Sequence, residues 1–193
     1  MSEARMMISS VQGAFLKFLI QISKAKRVLE IGTFTGYSAL CMAEALQGQG
    51  SDAKVVTLEN DDEFFKVAKE NIESSGLGHL IEMKFGDAKE TLLNFDNSVK
   101  FDLVFIDADK GGYINYYNTV LERNLLSDDG FIFADNALFD GFVSQVPNTK
   151  DLSQFPDSAK NMHAFNEYVI NDHRTTKILL PCFDGVMLIQ KKA

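Results

Sequence analysis

The sequence predicts an α/β fold in which helices cover both faces of a mostly parallel sheet. Two observations predict it. Apolar segments of strand length alternate with segments of helical periodicity over the first 135 residues, and two strand-like segments near the end of the chain flank a short turn. A length of 193 residues fits one domain with a sizeable core, so we expect a single domain over residues 1–193.

The first half of the chain supplies three strands and three helices in alternation. Apolar residues at helical spacing predict a first helix over roughly 10–23, and "RVLEIG" at 27–32 then predicts the first strand. "GYSALCMAEAL" predicts a second helix, and "KVVTLEN" at 54–60 a second strand that ends on an acid. Residues 61–78 predict the next helix. The segment begins with two acids, which are favourable at a helix N-terminus, and ends with glycines, which are common at a helix C-cap. "IEMKF" at 81–85 is the third strand.

The second half continues the pattern and then closes the sheet. "KFDLVFID" at 100–107 predicts a fourth strand, 111–126 a helix, "SDDG" a turn, and "GFIFADN" at 130–136 a fifth strand. A late helix spans 158–172. "TTKILL" and "GVMLIQK" form a C-terminal antiparallel hairpin around "PCFDG".

Composition excludes several classes of protein. The formal net charge of −8 argues against broad contact with nucleic acid or with an anionic membrane surface. No apolar stretch is long enough to span a membrane, and the first ten residues lack the core of a signal peptide. Cys41 and Cys182 are isolated and predict reduced thiols, so we expect a cytoplasmic protein.

Four of the first five strands end on a carboxylate: Glu30, Glu59, Asp107 and Asp135. The carboxyl ends of parallel strands share one edge of the sheet, which is where ligands bind in such folds. A single acid at a strand end is usually a solvent-exposed residue without a special role. Four on one edge indicate a functional site.

The segment "EIGTFTGYS" at 30–38 joins the first strand to its helix. The GxxxG spacing of Gly32 and Gly36 differs from the GxGxxG of dinucleotide sites, so it favours a nucleoside ligand over a pyrophosphate. A plain tight turn is the alternative. Glu59 can accept hydrogen bonds from both hydroxyls of a ribose, whereas a helix-capping role suits Asp61 or Asp62 better than Glu59.

Three segments together resemble one family: "EIGTFTGYSAL", "FIDADKGGY" and "ADNALFDG". The chain is similar to the metal-dependent class I O-methyltransferases of the caffeoyl-CoA and catechol type over nearly its whole length. The resemblance implies a Rossmann-like fold with a seven-stranded sheet, S-adenosylmethionine as methyl donor and a divalent cation, usually Mg²⁺, with Mn²⁺ or Ca²⁺ as alternatives. It also implies a homodimer.

The resemblance implies roles for named residues. Asp107, Asp135 and Asn136 would bind the cation, and hard cations do prefer such oxygen ligands. Lys110 would be the general base beside Asp107, and Phe139 and Asp140 would contact a small aromatic hydroxyl substrate. The residues expected to bind the methyl donor are Met6, Ile8, Glu30, Gly32, Thr33, Gly36, Tyr37, Ser38, Glu59, Asp87, Ala88, Asp107 and Asp109. Asp87, in "GDAKE", would equally suit the cap of a short helix.

The acceptor is the open question at this stage. Residues 144–157 carry one lysine and no arginine. Because the tail of a CoA thioester bears several negative charges and would need more cations, this favours a small catechol. Asp140 stands where plant caffeoyl-CoA enzymes have asparagine. Only about five residues precede "MMISSVQG", where relatives usually carry helices that shape the acceptor pocket, so the chain is either a short natural form or a trimmed one. The alternatives are a caffeoyl-CoA-type thioester, a tRNA wobble hydroxyuridine, and an inactive scaffold that only binds S-adenosylmethionine.

Overall fold

Seven strands and six α-helices alternate along the chain in the computed structural model, which describes residues 6–96, 98–149 and 151–192. The strands are β1 (Arg27–Ile31), β2 (Lys54–Glu59), β3 (Ile81–Phe85), β4 (Phe101–Ile106), β5 (Leu126–Ala134), β6 (Thr175–Leu180) and β7 (Val186–Lys191). The helices are α1 (Ser10–Ser23), α2 (Tyr37–Leu46), α3 (Asp62–Ser74), α4 (Ala88–Asn94), α5 (Tyr113–Glu122) and α6 (Asp157–Asn171).

All seven strands belong to one sheet in the order β3-β2-β1-β4-β5-β7-β6. The pairs among β1 to β5 are parallel, whereas β7 runs antiparallel to both β5 and β6. The predicted mostly parallel sheet with a C-terminal antiparallel hairpin is therefore confirmed. The strand order reverses beside β1, so β1 and β4 lie at the point where a cleft opens above the carboxyl edge.

Each face of the sheet has its own apolar core. Alternate residues of β4 show the division, since Leu103 and Phe105 pack with α1, α2 and α3, while Val104 and Ile106 pack with α4, α5 and α6. This two-residue period is what a strand buried on both faces requires. The sheet is thereby fixed from both sides, which holds the carboxyl ends of its strands in a defined geometry.

Local hydrogen bonds explain where two of the helices begin. The Ser9 hydroxyl accepts from the Gln12 amide at 3.1 Å and caps α1. The Asp61 carboxylate accepts from the amides of Glu63 and Phe64 and caps α3, as expected for an acid at a helix N-terminus. Capping by Asp61 leaves the preceding acid, Glu59, available for a different role.

The predicted boundary between α5 and β5 was wrong. Helix α5 ends at Glu122 rather than continuing to 126, and "SDDG" lies inside β5 instead of forming a turn before it. Leu126 already pairs with Phe101, and the register then shifts before Leu103 pairs with Phe131. The Ser127 hydroxyl donates to the Asp102 carboxylate at 2.9 Å across this irregular stretch, an interaction that turn propensities alone could not reveal.

Two findings concern membrane-spanning helices and the cysteines. Within the described ranges, no helix combines the length and hydropathy that a membrane crossing needs. Cys41 and Cys182 are not joined to each other. Lys150, the one lysine of the segment 144–157, lies outside the described residues, as do residues 1–5.

Candidate active site

A cavity of about 1040 Å³ opens at the carboxyl edge of the sheet. Its walls come from the ends of β1, β2, β4 and β5, the start of α1, and the turn between β6 and β7. Three of the four predicted acidic strand ends, Glu59, Asp107 and Asp135, line it. The cluster of acids expected from the sequence is therefore brought together in one cavity.

Both glycines of the turn after β1 have positive φ values and lie close to neighbouring parts of the chain. Gly32 has φ +95°, and a Cβ there would overlap the backbone carbonyl oxygen of Asp107. Gly36 has φ +85°, and a Cβ there would lie 3.4 Å from the Cβ of Ala68 on α3. Glycine at 32 therefore lets the turn pass close to the backbone after β4, and the approach of either glycine to a ligand stays a prediction.

Glu59 anchors the glycine turn through its carboxylate. Oε2 accepts from the amides of Thr33 at 3.2 Å and Phe34 at 2.8 Å, and Oε1 accepts from the amides of Asn60 at 2.9 Å and Asp61 at 3.0 Å. A carboxylate offers about four lone-pair positions, so the backbone uses all of them. Binding of a ribose by Glu59 stays a prediction, and in this structure it requires the carboxylate to exchange or share these partners.

Glu30 lies beneath the cavity rather than on its wall. Its side chain is fully buried, and Oε2 accepts from the Thr57 hydroxyl at 2.5 Å. Burial raises the pKa of Glu30 to about 8, although the nearby Ser38 and Thr57 hydroxyls lower it. Oε1 has no hydrogen-bond partner among the described residues. At neutral pH this buried carboxyl is therefore mostly protonated, and its contact with the methyl donor stays a prediction.

The other residues expected to bind the methyl donor divide into two groups. Those that line the cavity are Met6, Ile8, Gly32, Thr33, Tyr37, Ser38, Glu59, Ala88, Asp107 and Asp109. Gly36 and Asp87 do not line it. Asp87 is exposed and accepts from the Lys89 amide at 2.6 Å, which makes it the cap of α4, the alternative that the sequence left open.

Asp107 and Asp135 follow β4 and β5 and stand side by side on the cavity wall. The backbone continues the sheet ladder here, since the Asp107 amide donates to Ile31 and the Asp135 amide to Ile106, each at 3.0 Å. Asp135 is 3% exposed, and its pKa is raised by burial and by the negative charge of Asp107. Two carboxylates that repel each other in this way are suited to share a cation.

Asn136 follows Asp135 and is the third side chain predicted to bind the cation. Its Nδ2 donates to Asp184 at 3.0 Å, which leaves the carbonyl oxygen as the free end of the amide. No group of three or more His, Cys, Asp or Glu side chains in the described part of the chain is arranged to hold a metal. The predicted set has two carboxylates and this amide. Hard oxygen ligands of this number fit Mg²⁺, which keeps further positions for water or substrate.

Lys110 points into the same cavity. Its Nζ lies 3.0 Å from Asp107 Oδ1 and donates to the Tyr113 hydroxyl at 2.7 Å, and its side chain is 12% exposed. The Tyr113 hydroxyl in turn donates to the Ile106 carbonyl at 3.1 Å. Burial raises the pKa of Tyr113 well above its ordinary value, so this phenol stays neutral and fixes the lysine beside Asp107.

The outer wall of the cavity contains both residues expected to contact the acceptor. Phe139 and Asp140 line it, with φ values of +43° and +53° in the left-handed region. Such values are uncommon for residues other than glycine. The Asp140 amide donates to Asp184 Oδ1 at 2.6 Å and holds this conformation.

Sequence reasoning missed two polar residues of the cavity. Gln12, in the first turn of α1, is 4% exposed, and its Nε2 has no hydrogen-bond partner among the described residues. A polar residue on the inward face of an amphipathic helix was the available signal. Asp184 was assigned only to the turn of the C-terminal hairpin, and nothing in its local sequence relates it to Asn136.

The comparisons with known proteins agree with this geometry. A family model described as O-methyltransferase matches residues 1–192. The chain is 36% identical to the O-methyltransferase ankF of Aspergillus thermomutatus, over 97% of this chain and 80% of that protein. It is 34% identical to the caffeoyl-CoA O-methyltransferase of Petroselinum crispum, over 96% of this chain and 77% of that protein.

Solved structures show the same fold. The SAH-bound methyltransferase PaMTH1 of Podospora anserina superposes with a TM-score of 0.89 at 32% identity, covering 100% of this chain and 83% of that one. The SAH complex of the O-methyltransferase from Bacillus cereus gives a TM-score of 0.83 at 31% identity, covering 96% and 83%. The prediction of a Rossmann-like, S-adenosylmethionine-dependent O-methyltransferase is thereby confirmed, and the chain belongs to the O-methyltransferase family.

Proposed function

We propose that this protein transfers the methyl group of S-adenosylmethionine to one hydroxyl of a catechol-like acceptor, with a divalent cation bound by Asp107, Asp135 and Asn136. The observation that carries the proposal is the position of Lys110, whose Nζ lies 3.0 Å from Asp107 Oδ1 on the wall that also presents Asp135. A lysine, two carboxylates and an amide thus line one cavity, and this supports the proposal.

The protein's own residues position the methyl donor. The turn that Glu59 holds through the amides of Thr33 and Phe34 borders the cavity, and two solved relatives carry SAH. Phe34 packs edge-on against Phe64 with ring centroids 4.5 Å apart, and both rings line the cavity. They offer an apolar surface that excludes water from the donor.

Lys110 supplies the acid–base step. A cation held by Asp107, Asp135 and Asn136 would lower the pKa of the acceptor phenol. Lys110, in its amine form, takes the hydroxyl proton, and the phenolate oxygen then forms a bond to the methyl carbon as the carbon–sulfur bond breaks. The products are the methyl ether, SAH and one proton, which leaves from the Lys110 ammonium. Most of the rate enhancement comes from holding the two reactants in line.

The charge of the cavity favours a neutral acceptor over a CoA thioester. Lys110 is the single basic side chain among its described lining residues, beside seven acids: Glu59, Asp61, Asp107, Asp109, Asp135, Asp140 and Asp184. A polyanionic substrate would face net repulsion here. The Petroselinum crispum relative is a caffeoyl-CoA O-methyltransferase, so the acceptor panel below includes the comparison with caffeoyl-CoA.

Transfer from labelled S-adenosylmethionine to a panel of acceptors tests the proposal. We expect methylation of catechol and caffeate in Mg²⁺, loss in EDTA, and recovery on adding Mg²⁺ or Mn²⁺. Asp135→Ala should abolish turnover but retain SAH binding, whereas Asp128→Ala, at the exposed far end of the same strand, should behave as the unmutated protein. Full activity in EDTA would contradict the role of the cation. A large preference for caffeoyl-CoA, or methylation of tRNA alone, would contradict the acceptor.

We also propose that the protein forms a homodimer through the outer face of α1. Val11, Phe18 and Ile22 are 67%, 55% and 59% exposed along this face, and apolar side chains in such a row are typical of an interface. Sedimentation at micromolar concentration should give twice the chain mass. A monomer under these conditions, or a dimer that persists in Phe18→Glu, would contradict this surface.

A further inference from the structure

Asp184 joins the loop after β5 to the turn between β6 and β7. One carboxylate oxygen, Oδ2, accepts from Nδ2 of Asn136 at 3.0 Å, and the other, Oδ1, accepts from the amide of Asp140 at 2.6 Å. Two partners on one loop therefore hold the carboxylate, and one of them is the side chain assigned to the cation.

The backbone fixes Asp184 in this position. The amides of Ala137 and Leu138 donate to the carbonyls of Gly185 and Asp184, each at 2.9 Å. Gly185 has φ +81°, and a Cβ there would lie 2.5 Å from the Leu138 nitrogen. The close approach of the two segments thus depends on glycine at 185, and it places the carboxylate against Asn136.

The chemistry of an amide gives this contact a consequence. The two ends of the Asn136 side chain are almost equal in size, but only the carbonyl oxygen can bind a cation, because the NH₂ end is a pure donor. A carboxylate is a pure acceptor when ionised, so it selects the NH₂ end and turns the oxygen away. The φ of +59° at Asn136 further limits where this side chain can point.

We propose that Asp184 is a positioning residue that fixes the Asn136 amide with its carbonyl oxygen toward the cation. This inference rests on the proposed function, since it assigns a role to a partner of one proposed ligand. Hydrogen-bonded partners of metal ligands typically change metal affinity by about 10–100-fold when they are removed. A residue that only braced the loop would change stability without this effect on the cation.

Binding of Mn²⁺ to the SAH-loaded protein, followed by the loss of the free-ion electron paramagnetic resonance signal, tests the proposal without measuring turnover. Asp184→Ala should weaken Mn²⁺ binding about 10–100-fold and leave SAH affinity unchanged. The control is Asp102→Ala. Asp102 braces the opposite edge of the sheet by accepting from the amides of Lys26 at 2.8 Å and Arg27 at 3.0 Å, so its loss should lower stability and leave Mn²⁺ affinity unchanged.

A polarity swap provides the decisive comparison, and it remains informative if Asp184→Ala does not fold. Asp184→Asn alone offers one acceptor to two donors, so Mn²⁺ binding should weaken. Adding Asn136→Asp to this variant restores the hydrogen bond between the side chains at 136 and 184, with the donor now at 184 and the acceptor at 136. The new carboxylate at 136 can bind the cation and accept from the new amide at 184, whose oxygen accepts from Asp140. Net charge is conserved, and we expect Mn²⁺ affinity to return to within a few-fold of the original.

The outcomes separate this inference from the proposed function. If the unmutated protein does not bind Mn²⁺, the cation site and the positioning role are both wrong. If it binds Mn²⁺ and Asp184→Ala binds equally well, only the positioning role is wrong. A swap that binds no better than Asp184→Asn alone would also overturn the role assigned to Asp184.

Discussion

Replacing Glu59 by glutamine should destabilise the protein even when no ligand is present. The carboxylate accepts four backbone hydrogen bonds, two at each oxygen, from Thr33, Phe34, Asn60 and Asp61. Glutamine keeps one acceptor oxygen and places an NH₂ group where the second one was. Two amides then face a donor instead of an acceptor.

The magnitude follows from the number of bonds lost. A hydrogen bond to a charged group contributes about 1.5–3 kcal/mol, so two of them correspond to about 3–6 kcal/mol. The NH₂ group should turn toward Asn60 and Asp61, because both residues are exposed and water can replace the lost acceptor. We therefore expect the free energy of unfolding to fall by about 2–4 kcal/mol. For a chain of this length, this corresponds to a fall in Tm of about 4–16 °C.

Urea unfolding of the unliganded protein measures this change, and Glu63→Gln serves as the control because Glu63 is exposed on the adjacent α3. Calorimetry with SAH then shows whether Glu59 also binds the ligand. Equal midpoints for Glu59→Gln and the unmutated protein would refute the anchoring role. A stability loss with unchanged SAH affinity would instead remove the predicted contact to the ribose.

Three other predictions concern single residues. Lys110→Met should lower turnover by about 10²–10⁴-fold, the usual contribution of a general base, while calorimetry shows SAH affinity retained; near-normal turnover would contradict the assignment. Glu30 has a pKa raised to about 8 by burial, so the folded state holds its proton more tightly and the stability from this group is lost as pH rises from about 4.5 to 8. In urea titrations at pH 5 and pH 8, Glu30→Gln should therefore lose less stability than the unmutated protein, and parallel losses would count against this. Gly32→Ala should greatly reduce the yield of folded protein because its Cβ would overlap Asp107, whereas Gly48→Ala, which has a comparable φ but nothing within 4 Å of the new Cβ, should fold; similar yields would show that the clash is unimportant.

Regular features of the fold were predictable from local patterns. Alternating apolar segments predicted the order of strands and helices, and the parallel arrangement then placed the acids at one edge. This reasoning needs only the direction of each strand, because parallel strands end on the same side. The bulged start of β5 was not predictable in this way, since it depends on Asp102, a residue 25 positions before Ser127.

The candidate site also contains some residues that local sequence patterns could predict and others that they could not. Asp107, Lys110, Asp135 and Asn136 could be proposed from the sequence because they follow strands directly and their spacing resembles a known family. Asp184 could not, because it meets Asn136 only after β6 and β7 complete the sheet, 48 positions later. The four amides at Glu59 were also hidden, since every residue except proline has an amide and only the path of the backbone decides which ones converge.

The claim that the acidic edge of the sheet holds a cation beside the methyl donor can be tested by crystallography. Crystals grown with SAH and Mn²⁺ should show an anomalous scattering peak within bonding distance, about 2.2 Å, of oxygens from Asp107, Asp135 and Asn136. SAH should lie against the turn at 32–38 in the same crystals. A fully occupied SAH site with no manganese peak among these three side chains would contradict the account.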